Sequence, residues 1–357
     1  MKIVFRVDSS SQVGYGHLMR CLVLAQRFQK LPGIKICFVV RNLPGNINSI
    51  IIDRGYKLLV LPKHEITIEE LSGYEKWLTV PQSVDAEDTR KALKKIRDVK
   101  LLIVDSYAIS AEWENKVRPE VNKIMVIDDL ANRRHECDFI LDQSYGGEKM
   151  YRYNALVPVC CKLFLGVPYV LLHESYYWQH PKVRMGMRHV VVFFGGSDDT
   201  GETLKFLQAL HSNTWQNRRF TVIVGDSNQN KKTIELECNK FSNVTFYCQV
   251  DNMAELLANA DIAFGAAGSN MWERCFLGLP AVVTVTGENQ RFIAEQVNRT
   301  GAIKLLGWHE SVYAGTYEKA LLQIDKLPLE TMSKAAFSVI GPSRVDEMVE
   351  TILEDLQ

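Results

Sequence analysis

No Cys-x-x-Cys pair occurs among the eight cysteines, at positions 21, 37, 137, 160, 161, 238, 248 and 275. Several fall inside predicted strands or helices, so they are expected to be buried thiols of a cytoplasmic protein, the adjacent Cys160 and Cys161 included. Neither sign of charge prevails, Lys+Arg and Asp+Glu being 42 each. A basic surplus that would draw nucleic acid or an anionic membrane is therefore missing, though a local patch remains open. No apolar run approaches membrane-spanning length; Leu101-Leu102-Ile103-Val104 stops at Asp105. The chain passes at once into a strand-like run containing Arg6 and Asp8, so no signal peptide is expected. There is no Gly-x-Ser-x-Gly elbow and no Walker loop. The dinucleotide fingerprint Gly-x-Gly-x-x-Gly is broken by Met19 at its third glycine. Arg41 stands where an acidic residue would close the second strand, and a dinucleotide site is disfavoured.

What is present is alternation. A chain of 357 residues is too long for one compact core, so two domains are expected. Apolar content of 46% with 24% charged residues fits a globular chain. In the first half strands are expected at 2–8, 35–41, 56–61, 100–105, 123–127 and 138–142, with helices at 17–30, 46–54, 85–98 and 110–121. Residues 63–83, bracketed by Pro62 and Pro81, are less regular. The pattern breaks over 166–187 and then restarts. Strands are expected at 188–194, 219–224, 243–248, 261–265, 280–285 and 302–306, and helices at 200–212, 229–241, 252–260, 269–278, 289–299 and 315–326. Such alternation implies parallel sheets with helices on both faces. The expected division is a first domain over 1–165, a linker over 166–187 and a second domain over 188–340. Over 341–357 an amphipathic helix, with Val345, Met348, Val349, Ile352 and Leu353 at helical spacing, needs a surface to cover.

The segment Gly14-Tyr15-Gly16-His17 lies between the first strand and the first helix. Its place at the carboxyl end of a strand is where open α/β sheets bind ligands. The positive end of the helix disfavours imidazolium, and a neutral imidazole accepts a proton from water. A helix-cap or loop histidine with a satisfied hydrogen bond remains the other reading of His17. Asp105-Ser106-Tyr107 and Asp128-Asp129 end two further strands on the same side. With His135 nearby, the second pair invites a metal reading, but its spacing is loose and no metal is expected.

In the second half, Gly195-Gly196-Ser197-Asp198 follows a buried strand, where glycines let backbone amides approach a ligand. A tight turn with Ser197 or Asp198 capping the next helix is the alternative, and both hold together. Gly265-Ala266-Ala267-Gly268-Ser269-Asn270 runs from a strand into a helix whose free amides suit a diphosphate. Glu273, a turn further on, either accepts from ribose hydroxyls or complements the helix dipole. Asn289 and Gln290 suit sugar hydroxyls or cap a helix.

Taken in order, these motifs resemble one family. They are Arg6-Val7-Asp8, Gly14 to Cys21, Asp105-Ser106-Tyr107, Ile127 to Arg133, Gly195 to Asp198, Gly265 to Ser269 with Trp272-Glu273-Arg274, Gly278-Leu279-Pro280 and Glu288-Asn289-Gln290. The family is the UDP-sugar hydrolases of the pseudaminic acid pathway, which act on UDP-2,4-diacetamido-2,4,6-trideoxy-β-L-altropyranose. The resemblance implies the GT-B fold, like the N-acetylglucosaminyltransferase that makes lipid II. Two Rossmann-like domains with parallel sheets would face across a cleft, and the terminal helix would cross back to the first. It implies His17 as catalytic base. It implies sugar contacts from Asp8, Gly14, Tyr15, Gly16, Arg20, Asp105, Tyr107, Asn289 and Gln290. UDP contacts are implied for Gly195, Gly196, Ser197, Ala267, Gly268, Ser269, Asn270 and Glu273. The expected reaction is inverting hydrolysis at the anomeric carbon to UDP and free sugar, without metal or cofactor, by a cytoplasmic monomer with no nucleic-acid or membrane partner. The stretches 63–83 and 173–181 match no motif and are candidates for setting sugar specificity. A GT-B glycosyltransferase, a UDP-sugar 2-epimerase and an idle UDP-sugar-binding module are the rival readings.

Overall fold

The computed structural model describes residues 1–64, 71–144, 151–212, 215 and 217–356. Within the irregular stretch 63–83, residues 65–70 lie outside the described residues. The chain divides into two compact units, Met1–Leu171 with Ser343–Gln357, and Leu172–Pro342.

The first unit is built on seven parallel strands: β1 (Lys2–Val7), β2 (Lys35–Val40), β3 (Lys57–Val60), β4 (Val99–Asp105), β5 (Val121–Ile127), β6 (Phe139–Asp142) and β7 (Lys162–Leu165). Their order is β3-β2-β1-β4-β5-β6-β7. Central strands such as Lys2–Val7 and Val99–Asp105 are nearly continuous runs of buried residues, because both faces of the sheet are covered. On one face lie α1 (Gly16–Gln29), which buries Leu18, Cys21, Leu22, Leu24, Ala25 and Phe28, and the short α2 (Ser49–Asp53), which buries Ile51 in the same core. The C-terminal helix α13 (Val345–Glu354) joins the same core through Val345, Met348, Val349 and Ile352. Ion pairs Arg27–Asp346 (3.1 Å) and Lys162–Asp355 (2.7 Å) flank it. On the other face α3 (Gln82–Ile96) and α4 (Ala111–Val117) cover a second cluster around Val4, Leu102, Val104 and Trp113. The helix expected over 110–121 ends at Val117. Pro119 has no N–H to continue the ladder, a 3-10 turn spans Arg118–Glu120, and the next strand starts at Val121. A 3-10 helix at Gly73–Leu78 and the edge strand Lys162–Leu165 stand where no element was expected.

The second unit repeats the plan with six parallel strands. These are β8 (His189–Phe193), β9 (Arg219–Val224), β10 (Val244–Cys248), β11 (Ile262–Ala266), β12 (Ala281–Val285) and β13 (Ile303–Trp308), ordered β10-β9-β8-β11-β12-β13. The helices α6 (Glu202–Leu210), α7 (Lys231–Cys238), α8 (Met253–Ala258), α9 (Asn270–Phe276), α10 (Glu288–Arg299) and α11 (Ala314–Leu322) sit near the expected positions, and a short helix α5 (Glu174–Tyr177) precedes β8. An unanticipated helix α12 (Leu329–Ile340) buries Leu329, Met332, Ala336, Val339 and Ile340, and Gly341 ends it at φ 59°. Its Ser333 hydroxyl donates to the Gly278 carbonyl at 2.5 Å. Among the described residues, no helix is long and apolar enough to cross a membrane.

Candidate functional site

Strand order reverses between β1 and β4 in the first unit, and ligands bind outside the carboxyl ends of strands at such a switch point. Asp8 follows β1, Asp105 ends β4, and His17 is the second residue of α1. Gly14 adopts φ +79°, and its amide donates to the Ser10 carbonyl at 2.9 Å, closing the loop that turns the chain into the helix. The ring of His17 is thereby brought to Asp105, with Nδ1 2.6 Å from Oδ1. With a carboxylate as its acceptor Nδ1 carries the proton, which leaves the lone pair on Nε2. The helix end acts on this ring together with Asp105, a partner that the helix-end argument alone does not include.

Asp105 is itself held on both oxygens. Arg20, one turn along α1 from His17, donates Nε to Oδ2 (2.6 Å) and Nη2 to Oδ1 (2.7 Å). Burial alone would push the Asp105 carboxyl up, but Arg20 and His17 hold it well below the usual range. Arg20 also reaches Asp129 through Nη1 at 3.2 Å, and Asp129 accepts the Tyr107 hydroxyl at 2.6 Å. Tyr107 then sets its ring edge against His17, with centroids 4.7 Å apart at 83°. The residues close a loop from His17 through Asp105, Arg20, Asp129 and Tyr107 back to His17. Trp77 and Tyr74 add further aromatic contacts, Trp77 lying 6.2 Å from the His17 ring.

A small cavity of about 10 Å³ opens here, lined by Asp8, Val13, His17, Trp77, Leu78, Asp105 and Ser106. Asp8 is fixed from behind. Arg6, buried near the carboxyl end of β1, donates Nη1 to Asp8 (2.7 Å) and Nη2 to Asp85 (2.7 Å). Arg41 binds Asp85 at 2.8 Å and Asp88 at 3.0 Å, and Trp113 Nε1 donates to Asp85 at 2.9 Å. Burial opposes ionisation of Asp85, but the two guanidinium groups bring its carboxyl down to about 2.

His17, predicted as the base, and Asp8, Arg20, Asp105 and Tyr107, predicted for the sugar, converge here. Tyr15 turns away, its hydroxyl donating to the Gly45 carbonyl at 3.3 Å. Asp129, expected only as a strand-end carboxylate on this side, joins the site through Arg20 and Tyr107, and Trp77 and Leu78 join it from the irregular stretch without having been singled out. Asp128 and His135 serve other ends. Asp128 takes Arg133 (2.7 Å), the Tyr153 hydroxyl (3.0 Å) and the Ala131 amide (2.9 Å), and His135 Nδ1 meets Glu114 at 2.7 Å.

In the second unit the corresponding switch lies between β8 and β11, and the two glycine loops follow those strands. The Gly225 amide donates to the Gly196 carbonyl at 2.9 Å, and a Cβ on Gly225 would fall 2.7 Å from the Gly196 Cα, so the two backbones touch. Asp198 caps α6, accepting the amides of Glu202 and Thr203, each at 2.9 Å. Ser197 donates to Asp199 at 3.1 Å. In the other loop the Asn270 amide donates to Glu273, and the Tyr176 hydroxyl binds the same carboxylate. Burial pushes the Glu273 carboxyl up. Tyr176 comes from the stretch 173–181. Gln290 packs against this loop, its Nε2 3.7 Å from where a Cβ on Gly268 would sit, and its Oε1 accepts from the Thr286 amide at 3.1 Å.

The fold is that of GT-B glycosyltransferases. MurG from Acinetobacter baumannii superposes with a TM-score of 0.64 at 11% identity, over 99% of each chain. Residues 190–342 match the glycosyltransferase family 28 C-terminal domain. Over 281 residues, 78% of this chain and 89% of the relative, the sequence is 27% identical to the UDP-2,4-diacetamido-2,4,6-trideoxy-beta-L-altropyranose hydrolase of Campylobacter jejuni. It is 26% identical over 306 residues, 82% of this chain, to an uncharacterized protein of Methanocaldococcus jannaschii, and spans 57% of that protein's length.

Proposed function

We propose that this protein hydrolyses a UDP-activated 2,4-diacetamido-2,4,6-trideoxy hexose of the altrose type to UDP and free sugar, as a step in pseudaminic acid biosynthesis. The observation that carries the reading is the His17–Asp105 pair beside a small cavity at the switch point of the first unit. His17 Nε2 takes a proton from water as the water oxygen attacks C1 from the face opposite the diphosphate, so the anomeric configuration inverts. Asp105 fixes the tautomer and stabilises the imidazolium that forms. Arg20 fixes Asp105, and Tyr107 and Trp77 wall the ring. UDP is assigned to the second unit, to the amides of 195–197 and 267–270, with Glu273 toward the ribose. These amides take up the charge that develops on the leaving diphosphate, and no metal is required. The similarity to the C. jejuni hydrolase supports the choice of substrate.

Incubation of the chelator-treated protein with UDP-2,4-diacetamido-2,4,6-trideoxy-β-L-altropyranose, without acceptor, tests this. Proton and phosphorus NMR are expected to show UDP and free sugar with inverted anomeric configuration. Intact substrate with UDP still binding would refute hydrolysis and leave a nucleotide-binding protein. Activity restored only by a divalent ion would refute the metal-free mechanism.

A further inference from the structure

Asp8 has hydrogen-bonding capacity that its surroundings do not use. Its Oδ1 accepts from Arg6 Nη1 and from the Arg41 amide, each at 2.7 Å. Its Oδ2 is buried and has no hydrogen-bond partner. Buried polar atoms are nearly always paired, so a carboxylate oxygen left bare calls for a donor supplied from outside. The residue lines the cavity that His17 also lines, and the cavity has about the least volume that holds one water molecule.

We infer that Asp8 is a second catalytic residue, and that its Oδ2 accepts one O–H of the attacking water while His17 Nε2 accepts the other. The inference rests on the hydrolase reading of this site. Water has two protons to donate, and the two acceptors use both. An alcohol has one. With that one on His17, it leaves the Asp8 oxygen bare and sets a carbon against a carboxylate. Sites built to receive a hydrogen bond reject analogues that lack it. The acceptor pair therefore selects water over a hydroxyl acceptor, within a fold whose structural neighbours include glycosyltransferases. In the step itself, a lone pair of the water oxygen forms the bond to C1. The bond from C1 to the diphosphate oxygen breaks, and its electrons leave with UDP. One water proton passes to Nε2; the other stays on the new sugar hydroxyl, still directed at Asp8. The Trp77 side chain lines the same cavity.

The test uses the full chain and UDP-2,4-diacetamido-2,4,6-trideoxy-β-L-altropyranose in buffer with and without methanol, with products read by NMR. The unaltered protein is expected to give free sugar and no methyl glycoside. Asp8→Asn keeps the side-chain volume but places an amide N–H₂ where Oδ2 stood. Its turnover is expected to fall roughly 100-fold or more, the scale of a lost acid–base contact. Its KM is expected to stay within about threefold, since the interaction is made in the transition state. Asp8→Ala removes the acceptor and opens space. In methanol it is expected to yield methyl glycoside, raising the ratio of methyl glycoside to free sugar about tenfold or more over the unaltered protein. A residue that merely braced Arg6 and Arg41 would slow the reaction without moving that ratio. Methyl glycoside formed freely by the unaltered protein would overturn the inference, and this result needs no variant to fold. So would a normal rate in Asp8→Asn. Absence of UDP release from the unaltered protein is a different failure: it removes the hydrolase reading itself.

Discussion

Asp105 organises four donors around one buried carboxylate: two from Arg20, one from His17 and the Cys21 thiol at 3.6 Å. Its ionised state lets it receive the Nδ1 proton and leave Nε2 free. Asp105→Asn substitutes an amide whose N–H₂ competes for that geometry and turns the ring to the wrong tautomer. A loss of roughly 10³–10⁴ in kcat is expected, by analogy with the same change in serine-protease triads. His17→Asn is expected to abolish turnover while UDP affinity, measured by calorimetry, stays within about twofold, because uniform binding is untouched. Near-normal turnover in either variant would take the pair out of the chemistry. Arg20 entered only through the family resemblance, whereas the places of His17 and Asp105 were legible in the sequence because strand-end and helix-start positions fix where side chains go. Trp77 and Leu78 were not, because the 3-10 turn that presents them has too short a period to be recognised between two prolines. Asp129 was visible as a strand-end carboxylate, but its partner Arg20 is 109 residues away. Asp198 supplies a titration of opposite sign. Burial, against the pull of the α6 amides, pushes its carboxyl up to about 6. An unfolded Asp titrates near 3.9. The folded chain therefore holds this proton more tightly, and the stabilisation is complete below about pH 4 and lost as pH rises through about 6. Asn at 198 keeps an acceptor oxygen for one of the two amides, sets its N–H₂ against the other at a cost that does not depend on pH, tolerates the positive φ of 47° and never ionises. The stability of Asp198→Asn relative to the unaltered protein is thus expected to rise by about 2–3 kcal/mol between about pH 4 and pH 7. Urea unfolding across this range checks it; a difference that ignores pH would refute the assignment.

At the scale of elements, α13 shows how far periodicity reaches. Val345, Met348, Val349 and Ile352 were readable as one apolar stripe, and the structure places them in the core shared with α1. The helix α12 has a similar stripe, Leu329, Met332, Ala336 and Val339, yet it was not anticipated. Pro328 and the preceding 3-10 turn at Ile324–Lys326 interrupt the pattern, so the stripe follows a break instead of continuing a helix. The edge strand Lys162–Leu165 escaped for another reason. Four residues with two exposed give no alternation to count. The packing of α13 makes a graded prediction. Met348 is fully buried, and Met348→Ala is expected to cost the first unit about 2–5 kcal/mol through lost burial and the cavity left behind. Asp346, whose partner Arg27 lies at 3.1 Å, is largely exposed. Asp346→Ala is expected to cost less than about 1 kcal/mol. Equal costs for the two would mean that charge, not burial, holds the helix.

At the scale of the whole molecule, each unit has its own parallel sheet and, among the described residues, its own apolar core. A chain with separate cores need not unfold in a single step, and two transitions are expected in calorimetry. The variants above identify them. Met348→Ala lowers the transition of the first unit, and Asp198→Asn shifts that of the second with pH. UDP then becomes a probe of where the nucleotide binds. A ligand that binds only the folded second unit stabilises that unit by RT ln(1 + [L]/Kd), about 2.7 kcal/mol at a hundredfold excess over Kd. The transition that responds to Asp198→Asn is expected to rise by this amount, and the one that responds to Met348→Ala to stay in place. A rise confined to the Met348 transition would move the nucleotide to the first unit. It would leave the loops 195–197 and 267–270 as turns, packed on the Gly225 backbone and the Gln290 side chain.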